Sequence, residues 1–366
     1  MRKLALILIG FAVFAGGITL TRQSTAAPKE HRYLYVATPG IRNYVEYGGV
    51  GILVYDIDQG YKWVKRIPTW DGPPENVKGI AANAQTAKIY ISTPKRIACF
   101  DLITEKKTWE QELDGGCDRM ALSPDGRVLY VPSFEGPHWN IVDALDGRVI
   151  KKIVPDSGAH NTVYGPDGKF AYLAGLRSPH LSVAETTTHS IAKTVGPFTK
   201  PVRPFTINGS QTLCFVNVNE LLGFEVGDIR TGRMLHRIEV AGFEKGQVKR
   251  HGCPSHGIAM TVDESEIWLC DAFNQRLHIF DARQMPPKQK QSINVRDQPG
   301  WISFSIDGKR AYPSTGEVID VKTKRTLTTL TDEQGRAVQS EKMLEIVMVD
   351  GRPVRAGDQF GIGGKR

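Results

Sequence analysis

A chain of 366 residues is long enough for two domains or for one large closed all-β fold. Its composition, 40 % hydrophobic and 23 % charged with 37 Gly and 21 Pro, excludes a disordered chain and supplies turn formers for many short strands. The formal charge of +8 is mild and comes without a dense basic run or a nucleic-acid motif, so no nucleic-acid partner is expected.

At the N-terminus, Arg2 and Lys3 precede a largely apolar stretch at 4–20, and the small residues Ser24-Thr25-Ala26-Ala27 follow. Residues 1–26 therefore read as a signal peptide or, since 17 residues sit at the short edge of a bilayer span, as an uncleaved anchor. Either form places the rest of the chain in the periplasm or outside the cell. Loss of this segment removes Arg2, Lys3 and Arg22 and leaves a formal charge of +5. No later stretch is long and apolar enough to span.

Residues 31–38, 51–56 and 62–67 read as three strands of a sheet that lacks its innermost member. From residue 78 a repeat takes over. Ser123-Pro124-Asp125-Gly126-Arg127-Val128-Leu129-Tyr130-Val131 recurs 42 residues later as Gly165-Pro166-Asp167-Gly168-Lys169-Phe170-Ala171-Tyr172-Leu173, with weaker copies at 83–90, 208–215, 262–268 and 306–312. Each copy is an apolar run, a tight turn in which glycine accepts positive φ, and a second apolar run ending in an aromatic. Two further strands follow before the next copy, and four short strands per 40 to 55 residues or so are propeller blades. Six copies account for 78–330, and a strand at 343–349 would complete a seventh blade with the three N-terminal strands. The expected fold is an all-β, seven-bladed β-propeller over 30–350, closed by N- and C-terminal strands, with a C-terminal tail at 351–366. Closure removes the exposed edges of an open sheet.

The segment from Leu122 to Val131 resembles the blade motif of the YVTN family of β-propeller repeats, within the cytochrome-D1/quinoprotein-like propellers. The family's signature is degenerate here, as Tyr130-Val131-Pro132-Ser133 and Tyr90-Ile91-Ser92-Thr93. The resemblance implies the fold and leaves activity open, because such propellers include binding proteins, lyases, lactonases and redox subunits. A Cys-x-x-Cys-His haem motif, a phosphate loop and a Gly-x-Ser-x-Gly elbow are all absent from the sequence.

Alignment on the second-strand aromatic puts Lys78, Asp118, His160, Arg203, His256 and Gly300 just before the innermost strands, where they should encircle one mouth of the central channel. Lys342 or Met343 would close the ring, Trp301 would wall one side, and Arg119 and Asn161 flank it. Lys78, Asp118, Arg203 and Trp301 are the expected ligand-binding residues, with Lys78 and Arg203 suited to a carboxylate. His160 and His256 are the expected proton carriers.

His138 and His180 hold matching positions in Pro-His turns 42 residues apart. With His160 and His256 they form the expected metal set, for a divalent transition metal such as zinc or copper. The segment His251-Gly252-Cys253-Pro254-Ser255-His256 packs three possible donors into six residues on the longest inter-blade loop.

Cys99, Cys214 and Cys270 lie in apolar runs and read as core residues. Two functions follow. The first is an exported propeller that binds an anionic small molecule or a protein partner at one channel mouth, with an exposed patch around Trp70 and Trp139. The alternative is a metal-assisted or histidine-based lyase or lactonase acting on a carboxylate- or sugar-type substrate.

Overall fold

The computed structural model describes residues 29–364; the expected signal segment, 1–26, lies outside the described residues. Seven antiparallel sheets form seven blades. Blade one, for example, runs outward through Gly79–Asn83, Lys88–Ser92, Arg96–Asp101 and Lys107–Glu112. Its inner three strands are buried almost throughout and its outermost strand is largely exposed, as expected of sheets covered on both faces by their neighbours.

The hairpin turns behave as their residues dictate. In blade two, Gly126 takes φ +73°, and Asp125 accepts bonds from Ser123 Oγ and the Arg127 amide. Asp125 and Asp307, which repeats the arrangement with Ser305 and Lys309, are thus turn formers. The second-strand aromatics Tyr90, Tyr130, Tyr172, Phe215, Trp268 and Tyr312 are at most 2 % exposed. Several reach beyond their own blade: Tyr90 donates to the Ala144 carbonyl of blade two, and Tyr130 meets His189 Nδ1 of blade three at 2.7 Å. Cys99, Cys214 and Cys270 are fully buried core residues, and all five cysteines are free.

Closure joins the two ends of the chain. Met343–Val349 pairs antiparallel with Glu30–Thr38, matching Tyr35 to Leu344 and Tyr33 to Ile346. Beyond residue 350 the chain adds a fifth strand, Arg352–Ala356, to that sheet. It then crosses the channel. The Gln359 side chain bonds the Ile80 amide of blade one and the Met120 carbonyl of blade two, and its carbonyl accepts from Trp301 Nε1 of blade six. The Gly361 carbonyl accepts from Thr206 of blade four and Met260 of blade five.

This segment closes the lower end of the channel, with Phe360 and Ile362 buried against the innermost strands. Below it a cavity of about 640 Å³ opens, lined by the hairpin turns and by residues 354–358. Among the described residues no helix is long and apolar enough to cross a membrane.

Candidate functional site

The upper mouth is ringed by the residues that open the seven innermost strands: Lys78, Asp118, His160, Arg203, His256, Gly300 and Glu341. The seventh is Glu341, one place before the Lys342 that the sequence offers, because blade seven draws its innermost strand from the C-terminus. Blade six contributes only Gly300, and His251 fills that place from the loop at 241–254. A Cβ on Gly300 would lie 2.0 Å from the His251 ring and 2.8 Å from Glu341 Oε1, so the glycine is what admits the imidazole.

Two groups of side chains result. In the first, Asp118 is 2 % exposed and its Oδ2 lies 2.7 Å from His160 Nδ1, with Lys78 Nζ 3.8 Å from its other oxygen. Burial alone would raise the Asp118 pKa, but Lys78, His160 and Arg119 outweigh it and hold the carboxylate below its usual range. An ionised Asp118 can only accept, so His160 Nδ1 carries a proton, and in the neutral ring Nε2 is then the nitrogen with the free lone pair.

The second group is His251, His256 and Glu341, whose ligand atoms lie within 4.8 Å of one another. His256 Nδ1 is 2.8 Å from the Gly300 carbonyl, which can only accept, so Nε2 is again the bare nitrogen. Burial, reinforced by His251, pushes the His256 pKa well below its ordinary value and keeps the ring neutral. His251 stacks on His256 with ring centres 4.6 Å apart and faces Glu341 Oε1 through Nδ1 at 3.3 Å. Burial opposes ionisation of Glu341, yet Lys342, His251 and Arg119 together keep it ionised. Its Oε2 takes Arg119 Nη2 and Lys342 Nζ, each at 2.8 Å, which leaves Oε1 turned toward the histidines. Two neutral imidazoles and one carboxylate oxygen match a divalent transition metal in donor type and number, and the bond from His256 to the Gly300 carbonyl is the support a ligating imidazole needs.

The two groups are adjacent, with His160 and His256 rings 6.2 Å apart. The other expected residues take different places. Lys78 lies over the Phe134 ring, and Arg203 is held by Asn219 and the Gly252 carbonyl at the rim. Trp301 is the floor: its indole is 3 % exposed, carries the Arg119 guanidinium 3.2 Å from its ring centre, and rests on Phe360.

His138 donates Nε2–H to the Asp114 carbonyl in the connection between blades one and two, and His180 lies against Gly196. Neither belongs to the His–His–Glu group. Cys253 gives its thiol to the Ser255 carbonyl, and burial pushes its pKa up to about 12. Trp139, expected on an exposed patch, is fully buried with Nε1 on Thr162, because it faces the next blade.

No family model matches the sequence, and no curated protein matches it. In fold the chain is similar to the periplasmic gluconolactonase of Pseudomonas aeruginosa, with a TM-score of 0.65 and 14 % identity, covering 90 % of this chain and 98 % of that one. A weaker likeness, at a TM-score of 0.45 and 16 % identity, relates 69 % of this chain to 95 % of a hydrazine synthase chain of Kuenenia stuttgartiensis. At these identities the first likeness speaks for the seven-bladed fold alone, and the second carries no argument.

Proposed function

We propose that this chain is an exported hydrolase that opens a sugar-type or carboxylate-bearing lactone at the upper channel mouth. One observation carries the reading: a His160–Asp118 pair and a His251–His256–Glu341 group meet in a mouth closed from below, beside Lys78 and Arg203. An acid–base pair alone would serve a lyase equally well. The gluconolactonase activity of the similar propeller favours lactone opening, and its periplasmic setting agrees with the export signal expected at 1–26.

In this reading Lys78 and Arg203 offer donors at the rim to a substrate carboxylate or to sugar hydroxyls. His160 Nε2 takes a proton from water as the oxygen attacks the lactone carbonyl carbon, while Asp118 steadies the imidazolium that forms. When the bond from that carbon to the ring oxygen breaks, His160 returns the proton to the leaving oxygen, and a hydroxy acid results. A divalent transition metal on His251, His256 and Glu341 would polarise the carbonyl, and two histidines with a carboxylate favour zinc over copper. The YVTN-like blade motif supports the scaffold for this chemistry and leaves the substrate to the mouth.

The test pairs elemental analysis of freshly purified protein with hydrolysis of glucono-1,5-lactone and related lactones. Stoichiometric metal that disappears in His256→Ala, together with lactone opening above background, is expected. Absence of turnover on every lactone would overturn the hydrolase reading. Equal metal content in wild type and His256→Ala would remove the metal from it.

A further inference from the structure

Below the catalytic ring the channel carries polar atoms that the His160 and His251 groups do not use. Arg119 is 5 % exposed and belongs to blade two, yet its guanidinium lies on Trp301 of blade six and bonds Glu341 of blade seven. Contacts with blades on the other side of the ring place that guanidinium in the channel itself. Among the described residues its Nη1 has no hydrogen-bond partner. Asn161 of blade three is 1 % exposed, is bridged to Arg119 along the backbone, and among the described residues has neither its amide oxygen nor its amide nitrogen partnered. The bridge sets their backbones about 5 Å apart. Leaving donors and acceptors of this kind buried and unpaired is costly, so a small polar ligand or an ordered water is needed to complete their bonding.

We propose that Arg119 and Asn161 form a recognition subsite for a 2-hydroxycarboxylate on the Trp301 floor. Arg119 Nη1 donates to the carboxylate. The Asn161 amide oxygen accepts from the adjacent hydroxyl, and its amide nitrogen donates to an oxygen of the same pair. A carboxylate alone would use the arginine and leave the asparagine oxygen unpaired, so the asparagine is what selects a hydroxyl next to the acid. The Trp301 face backs the guanidinium and Glu341 orients it, as a preorganised anion receptor requires. The subsite deepens the hydrolase reading, since it names the acid that lactone opening would leave, but its binding test does not depend on turnover.

Calorimetric titration of the metal-free full-length protein with D-gluconate and with 2-deoxy-D-gluconate tests it. Wild type should prefer gluconate by about 10- to 100-fold, the effect of leaving one buried acceptor unpaired. Asn161→Ala should bring that ratio close to one, whereas Arg119→Lys should weaken both acids and preserve it. Thermal melting confirms that each variant is folded, and Asn161→Ser serves as a second variant if Asn161→Ala is not. A preference that survives in the asparagine variants, or no binding of either acid by wild type, overturns the subsite. Discriminating binding without hydrolysis of any lactone leaves the subsite standing and overturns the hydrolase reading; hydrolysis with unchanged discrimination in Asn161→Ala does the reverse.

Discussion

The upper and lower ends of the channel are made by the same seven innermost strands and carry opposite chemistry. At the upper end each strand opens on a charged residue, an imidazole or, in one blade, a glycine that admits an imidazole from a loop. At the lower end residues 359–363 satisfy their backbone and the Gln359 amide against blades one, two, four, five and six. Phe360 and Ile362 fill the space between. The lower end thus stabilises the fold, while the upper end holds buried charges and unpartnered amides that a fold selected only for stability would avoid. A scaffold can carry such a cost when the remainder of the molecule is well satisfied.

Substitutions at the two ends should separate these roles. The largest effect belongs to the upper end: His160→Gln should lower lactone turnover by about 10²- to 10⁴-fold, the usual contribution of a general base, and leave the melting temperature nearly unchanged. Paired initial-rate and melting measurements check this, and a large fall in melting temperature would make His160 a structural residue instead. Phe360→Ala should do the opposite, costing about 3–5 kcal/mol of unfolding free energy for a buried aromatic, read by denaturant titration.

Gly300→Ala tests the boundary between the two. The added methyl collides with the His251 ring, so overpacking should cost about 1–3 kcal/mol. The displaced imidazole should also take bound metal with it, as elemental analysis would record.

The smallest effect lies on the outer part of the lower face. Burial would raise the Asp101 pKa, but the Lys88 ammonium and amide donors of the following turn lower it to about 2. A carboxylate depressed in the folded state contributes stability that is fully present above its unfolded pKa and is lost as the pH falls through the folded value. Asp101→Asn should therefore remove about 1 kcal/mol at neutral pH, after allowance for solvent screening, and flatten the stability profile between about pH 4 and pH 2. Denaturant titrations at several pH values would show whether that acid limb persists.

The fold and the site were legible in the sequence to different depths, for physical reasons. Blade hairpins announce themselves because Asp-Gly pairs and a second-strand aromatic recur at fixed spacing, and that register also carries the ring residues Lys78 through His256. Glu341 escaped by one position because its strand pairs with the N-terminus and has no hairpin of its own to align. His251 was visible as a donor in its loop, but only the packing shows that it fills the place left by Gly300. Arg119 appears in sequence as a mere flank of Asp118, since its partners Glu341 and Trp301 come from blades far along the chain. His138 and His180 illustrate the reverse: repetition places them in register, while one bonds a turn carbonyl and the other packs beside a glycine. Residues 352–364 repeat nothing and are rich in glycine, so no periodicity marks them as part of the fold.

Among the described residues, the C-terminal crossing blocks the lower end of the channel and leaves the upper mouth as the way to the site. Whatever enters the upper mouth must depart the way it came, so a spent ligand and its successor compete for one passage. In the proposed reaction, traffic through this site would alternate, and the acid left after ring opening would act as its own gatekeeper. An increase in its concentration should slow turnover competitively with substrate, a behaviour that a through-channel need not impose.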